Sequence, residues 1–295
     1  MSTAKISEPI SGGKLYQVRA RMALPLLVRQ AEACSPIVYS DLAEELGMTN
    51  PRNLNYILGS IGQSLELLSK AWKVKVPPIQ CLVVNKNTRL PGEGIGWFLI
   101  KKEDFSRLPI WRKRKIVETE LQHIFSYPRW REVLKVLKLD PAISDFTPLV
   151  KKAKAAFKGG GSEAHKALKE FIAQNPTAIG LDSCTPVGTT EDLLPSGDCL
   201  DVSFCSKKIW VAAEVKSYIS AESDIVRGLF QCVKYRAVME AVLMTKSRTQ
   251  NVRALLVLES KLPKSLIPLK NILGVEVIDG ISTKMASRAK HEYGY

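Results

Sequence analysis

Histidine is scarce, with 3 in 295 residues, and the 6 cysteines, at 34, 81, 184, 199, 205 and 232, form no Cys-x-x-Cys pair. Zinc-site spacing is therefore absent, and scattered cysteines read as small core residues in a reducing compartment. No apolar run approaches the roughly 20 residues that span a bilayer, and Met1-Ser2-Thr3-Ala4-Lys5-Ile6 lacks a signal-peptide core. The expectation is a cytoplasmic protein, nucleoid-associated in a prokaryote, with no membrane partner. Acidic residues are also under-represented: 29 Asp and Glu against 43 Lys and Arg leave a net charge of +14. Such a balance favours a polyanionic partner, nucleic acid first.

The richest stretch runs from Asp198 to Tyr235. Cys199 to Cys205 and Ile209 to Lys216 alternate with the period of half-buried strands around Ser206-Lys207-Lys208, which predicts a hairpin. Leu200, Val202 and Phe204 then share one face, and Val211, Ala213 and Val215 point to the core. Asp201, Glu214 and Lys216 fall on the other face, Asp201 across from Glu214. Facing carboxylates repel, so the pair is expected to store a repulsion that a divalent cation relieves. Mg²⁺ is held by one or two carboxylates plus water and phosphate oxygens. Lys216 is then placed to favour hydroxide formation and to meet the negative charge growing on a phosphorus centre.

On the predicted helix that follows, Gln231-x-x-x-Tyr235 completes the set. The order Asp201, Glu214-x-Lys216, Gln231-x-x-x-Tyr235 resembles the PD-(D/E)xK nuclease superfamily, in its Mrr-like and RecB-like branches. One departure is that Leu200 precedes Asp201, and Pro195 lies further upstream. The resemblance implies a restriction-endonuclease-like α/β core, a mixed sheet flanked by helices. It implies catalytic roles for Asp201, Glu214, Lys216, Gln231 and Tyr235, and a Mg²⁺ cofactor, replaceable by Mn²⁺, on Asp201 and Glu214. A Glu on the helix before the sheet often supplements the metal shell in that superfamily, which nominates Glu163, with Glu170 in reserve. Arg227 and Lys234 share a stripe with Gln231 and are expected to grip the DNA backbone.

The first half reads as mainly helical. Tyr16 to Ala33 is predicted as a helix broken or kinked near Pro25, Tyr39 to Gly47 as a short helix capped by Ser40, and Asn50-Pro51 as the start of a leucine-striped helix. Two helices joined by Gly47-Met48-Thr49 suggest a helix-turn-helix, with Arg52, Asn53 and Asn55 placed for base contact. Ile79 to Val84 reads as a strand, and Lys86, Arg89 and the glycines at 92, 94 and 96 as a DNA-contacting wing. Val38 to Gly96 is similar to the DNA-binding half of alkylguanine-DNA alkyltransferases. That family's Pro-Cys-His-Arg is replaced by Pro78-Ile79-Gln80-Cys81-Leu82, which argues against alkyl transfer.

The expected layout is a winged-helix-like DNA-binding region over 1–158, a linker at Gly159-Gly160-Gly161, and a nuclease domain over 159–295. In the second, Ser162 caps a helix with Ala164, Ala167, Leu168, Phe171 and Ile172 buried, Leu181 to Ser196 is loop, and the tail from Ser282 is basic. The activity expected is metal-dependent cleavage of double-stranded DNA, by a homodimer where both strands are cut, in restriction or defence against foreign DNA. The alternatives are a DNA-binding regulator or structural protein with a silent nuclease fold, and a junction or repair nuclease.

Overall fold

The computed structural model describes residues 7–100, 105–142, 145–155, 162–246 and 250–282. The chain divides into two units, Met1–Ser144 and Asp145–Tyr295. The division falls earlier than 158/159. The expected glycine linker lies outside the described residues, as does the tail beyond Ser282.

In the first unit, α1 (Leu15–Glu32) is continuous through Pro25. β1 (Ile37–Val38) leads into α2 (Tyr39–Glu45), whose N-cap is Val38 rather than Ser40. A 3₁₀ turn at Pro51–Asn53, capped by the Asn50 side chain on the Arg52 amide, opens α3 (Leu54–Trp72). Leu54, Ile57, Ile61, Leu65 and Leu68 of α3 are buried as their spacing predicts, in a core with Leu24, Leu27 and Val28 of α1.

The predicted strand at 79–84 is instead a 3₁₀ turn, Ile79–Leu82, followed by β2 (Val83–Val84), which pairs in parallel with β1. An apolar run of this length fits either conformation, and burial in the helical core decides it. The glycine-rich stretch forms a 3₁₀ turn, Glu93–Ile95, and the helical turn α4 (Gly96–Leu99). Among the described residues, the first unit's strand pairing is this two-residue parallel bridge, and the stretch expected as a wing forms turns rather than strands. α5 (Ile110–Ser126) and α6 (Trp130–Val136) complete the unit.

The second unit is mixed α/β. α7 (Thr147–Ala155) and α8 (Glu163–Gln174) precede β3 (Thr189–Leu193), β4 (Cys199–Cys205) and β5 (Ile209–Lys216). α9 (Glu222–Thr245), β6 (Asn251–Leu258), α10 (Ile267–Leu273) and β7 (Glu276–Ile278) follow. The sheet order is β3-β4-β5-β6-β7, antiparallel through β5 and parallel from β5 to β7. β3 is an edge strand within the stretch expected to be loop. Its sequence Thr-Thr-Glu-Asp-Leu buries no side chain fully and carries no apolar alternation to announce it.

Both faces of the sheet are covered. Leu168 and Ile172 of α8 pack on Val202, Phe204, Val211, Ala213, Val215, Leu255 and Val257. On the other face Leu229 and Cys232 of α9 and Ala153 of α7 meet Leu256 and Leu258, while Tyr235 and Met239 meet Ala212 and Leu200. Leu200 is thus not on the face of Val202 and Phe204, so β4 changes facing at Asp201. The distortion has a partner in β3, where Glu191, at the matching position of the ladder, has φ 56°. The buried face of α8 is also rotated from the predicted stripe: Lys169 is buried and Ala167 is exposed.

Candidate active site

The hairpin forms in the predicted register. Val202 pairs with Ala213 and Phe204 with Val211, and the paired ladder stops at Val202, one residue short of Asp201 and Glu214. The two carboxylates do not, however, lie on one open face. Even-numbered residues of β5 point toward α9, and Glu214 is only 3% exposed there. Its Oε1 accepts from Lys216 Nζ at 2.5 Å and its Oε2 lies 3.0 Å from the Tyr235 hydroxyl.

Asp201 turns to other partners. Its Oδ2 accepts the Val215 N–H at 2.8 Å, and its Oδ1 lies 3.3 Å from His165 Nε2 and 3.9 Å from Lys169 Nζ, both on α8. Asp201 therefore has a structural bond as well as a charge. A picture of simple carboxylate repulsion across the hairpin is incomplete.

Electrostatics still couple the groups. Burial pushes the Glu214 carboxyl up, and the Asp201 charge adds to this, outweighing the opposite effects of Lys216 and Tyr235. Burial would also raise Asp201, but the His165 bond, the Val215 amide and the charges of His165 and Lys216 win, and its carboxyl lies below the usual range. Tyr235 is pushed up by burial and by the Glu214 charge, so it stays a neutral phenol. Lys169, despite burial that lowers it, is held above its ordinary value by Glu191, at 2.8 Å, and by Asp201.

Gln231 and Tyr235, expected to position substrate, have an inward task. The Gln231 amide donates to the Tyr235 oxygen at 3.1 Å, and that hydroxyl faces two acceptors, Glu214 Oε2 and the Cys199 carbonyl at 3.1 Å. Tyr235 is 2% exposed, which rules out its meeting a polymer directly. Gln231, Lys216, Arg227 and Lys234 line one recess. Arg227 pairs with Asp224, and Lys234 with Asp198 at 2.7 Å.

Glu163 is not brought to the site: its side chain is 91% exposed and pairs with Lys166 at 3.1 Å. Glu170 is exposed as well. The α8 residues that reach Asp201 are His165 and Lys169. They lie two and six positions after Glu163, on the helix face that meets the sheet. In the first unit Arg52, Asn53 and Asn55 are exposed together at the start of α3, and Lys86 and Arg89 are exposed in the turn after β2.

Gly228 was also silent in the sequence. A Cβ there would sit 2.7 Å from Leu256 Cδ1, 3.2 Å from Lys216 Cε and 3.4 Å from Glu214 Cγ. A glycine inside a long helix costs about 1 kcal/mol against alanine. Here it lets α9 approach the strand that carries Glu214 and Lys216.

Among the described residues no group of three or more His, Cys, Asp or Glu side chains is placed to hold an ion, and no helix is long and apolar enough to cross a membrane. The chain matches no family model, no curated protein and no solved structure.

Proposed function

We propose that the second unit is a metal-dependent nuclease of the PD-(D/E)xK kind, hydrolysing DNA phosphodiester bonds, and that the first unit adds DNA-binding surface. The observation that carries this reading is the Glu214–Lys216 pair, with Glu214 buried and bonded to Tyr235 and the Asp201 charge near enough to act on it. A carboxylate taken out of water beside a half-buried carboxylate and ammonium carries a desolvation cost that sheet packing alone does not require. Side chains in this combination suit phosphoryl transfer.

Asp201 and Glu214 would hold the ion. Hard carboxylate oxygens from two adjacent strands fit Mg²⁺ or Mn²⁺, which fill their remaining positions with water and phosphate. A dication also offsets the charge that burial makes costly at Glu214. When bound, it supplies Lewis-acid polarisation of the phosphate and activation of water.

The protein's own groups supply the rest. Lys216 would meet the negative charge that grows on the phosphoryl oxygens during in-line attack, and an ammonium there lowers the barrier. Tyr235, kept protonated, holds the Glu214 carboxylate in place, and Gln231 fixes the Tyr235 oxygen. Arg227 and Lys234 offer charge to the strand along the same helix face.

A second reading, a DNA-binding protein with a silent site, draws on one observation. Lys216 Nζ already neutralises Glu214 at 2.5 Å and must yield for an ion to be held there. Incubating plasmid DNA with the protein in Mg²⁺ or in chelator separates the two. Cleavage only with Mg²⁺, and its loss in Glu214→Gln, is the expected result. Cleavage by Glu214→Gln at near the wild-type rate would remove the assignment.

A further inference from the structure

Beside Lys216 the second unit has a recess of about 480 Å³ between α7 and α9. That is within the range of about 300–1,000 Å³ that encloses small molecules. Its lining has two characters. Lys154, Lys216, Arg227 and Lys234 line it mainly with their aliphatic stems, and of their charged ends three are paired with Glu214, Asp224 and Asp198. Val150 of α7 and Phe230 of α9 give it apolar walls, and the Phe230 ring is 38% exposed.

Contact with a duplex backbone would account for the cations but not for an apolar recess behind them. Phosphates of a paired duplex lie on its outside, and its bases are stacked away from any side pocket. A ligand that uses both characters is anionic and has a flat, weakly polar body. A nucleotide with its base free of pairing meets that description, because every base has a π face for an aromatic ring. The cations are held in place: Asp224 pairs with Arg227, and Asp198 with Lys234 at 2.7 Å. Since Lys216 forms part of the wall, a phosphate on that side of the recess lies at the Glu214–Lys216 pair.

We propose that the recess seats one unpaired nucleotide of the DNA strand, base against Phe230 and Val150, phosphate toward Lys216, so that the substrate is single-stranded or locally unpaired DNA. This rests on the nuclease reading and deepens it by naming the substrate class.

The test measures binding of the full chain in chelator, where no cleavage intrudes, to a fluorescein-labelled 12-residue oligothymidylate and to a paired duplex of equal length. Phe230→Ala removes the stacking ring, and Val150→Trp fills the recess from α7. Each should weaken oligothymidylate binding about 5- to 100-fold, in line with stacking effects, and change duplex binding less than about twofold. Thymidine 5′-monophosphate should compete, and inorganic phosphate at the same concentration should not. Because Phe230 is partly exposed, Phe230→Ala carries the test even if Val150→Trp fails to fold, with circular dichroism as the check.

Unchanged oligothymidylate binding in Phe230→Ala overturns the proposal, as does an equal loss on duplex or equal competition by phosphate. The nuclease reading fails separately. Intact Mg²⁺-dependent cleavage by Glu214→Gln, with binding weakened in Phe230→Ala, rejects the assigned chemistry and keeps the recess. The converse pair of results rejects the recess alone.

Discussion

Each unit buries an acidic side chain against a basic one, and the two pairs are built for different ends. In the first unit Arg29 donates to both Glu45 oxygens, at 2.8 and 2.6 Å, and shares two further N–H groups with Gln30 Oε1, at 3.3 and 3.2 Å. The side chains are 4% and 5% exposed, so charge and donors are matched within a closed setting. In the second unit Lys216 meets one oxygen of Glu214, Asp201 adds a second negative charge nearby, and Lys216 also borders a recess. A rigid guanidinium fork ties α1 to α2, whereas a point charge on a flexible stem stays available to a ligand. On the proposed function, the comparison separates burial that holds a fold from burial that prepares chemistry.

The largest effect should come from breaking the closed pair. Arg29→Met leaves Glu45 charged and buried without its partner, which typically costs about 3–5 kcal/mol. Urea denaturation of the variant should show that loss, with cleavage unchanged at temperatures where it stays folded. A loss under about 1 kcal/mol would mean that water reaches Glu45 and that the two pairs are less different than their burial suggests.

Lys216→Ala should reverse the pattern. Cleavage should fall by about 10²–10³, as when a group that stabilises transition-state charge is removed. Stability should change less than in Arg29→Met, because burial already raises the Glu214 carboxyl and a proton can replace the ammonium. Duplex binding should persist. A fall in cleavage below tenfold would place Lys216 with Arg29, as a structural cation.

Asp201 comes next, and it tests the correction to the hairpin picture. A stored repulsion alone would make the metal-free protein more stable on removal of the charge. The bonds to the Val215 amide and His165 give the opposite sign. Asp201→Asn should lose about 1.5–3 kcal/mol in chelator near neutral pH, the range for hydrogen bonds to a charged group. The folded carboxyl is depressed, so its contribution is full above the unfolded value of about 3.9 and is lost as pH falls through the lower folded value. Denaturation midpoints against pH should therefore drop less steeply below about pH 4 in Asp201→Asn than in wild type. Glu214 has the other sign. Its raised carboxyl costs stability as pH rises from its unfolded value through the folded one.

The pattern of particular residues explains what was legible beforehand. A period of two residues suffices for the hairpin register from Val202–Ala213 to Cys205–Trp210 and for putting Lys216 beside Glu214, since strand registers leave few choices. The facing change at Asp201 was not legible, because it accompanies a left-handed Glu191 on a strand with no apolar pattern. His165 and Lys169 were missed for a helical reason. Leu168 and Ile172 define a buried stripe broad enough to carry its neighbour Lys169 inward, and a lysine there reads as solvated surface. The unit boundary was displaced because α7 looks like a basic linker, Lys151-Lys152-Ala153-Lys154. Its burial of Ala153 among α9 residues is a tertiary event.

The smallest effect should be at Glu163, the carboxylate that the resemblance nominated for the metal shell. It lies in the first turn of α8, where a negative charge favours the helix dipole, and its side chain is 91% exposed beside Lys166. Glu163→Gln should cost no more than about 0.5 kcal/mol, as exposed substitutions do, and leave cleavage within about twofold. Lys169→Met on the same helix is the contrast. Its side chain is 10% exposed between Glu191 and Asp201, so losing it removes a positive charge that helps to balance Asp201. Thermal midpoints and cleavage rates for the two variants, measured side by side in saturating Mg²⁺, decide which face of α8 serves the site. A tenfold loss of cleavage in Glu163→Gln, with Lys169→Met near wild type, would turn the helix around and return Glu163 to the metal shell.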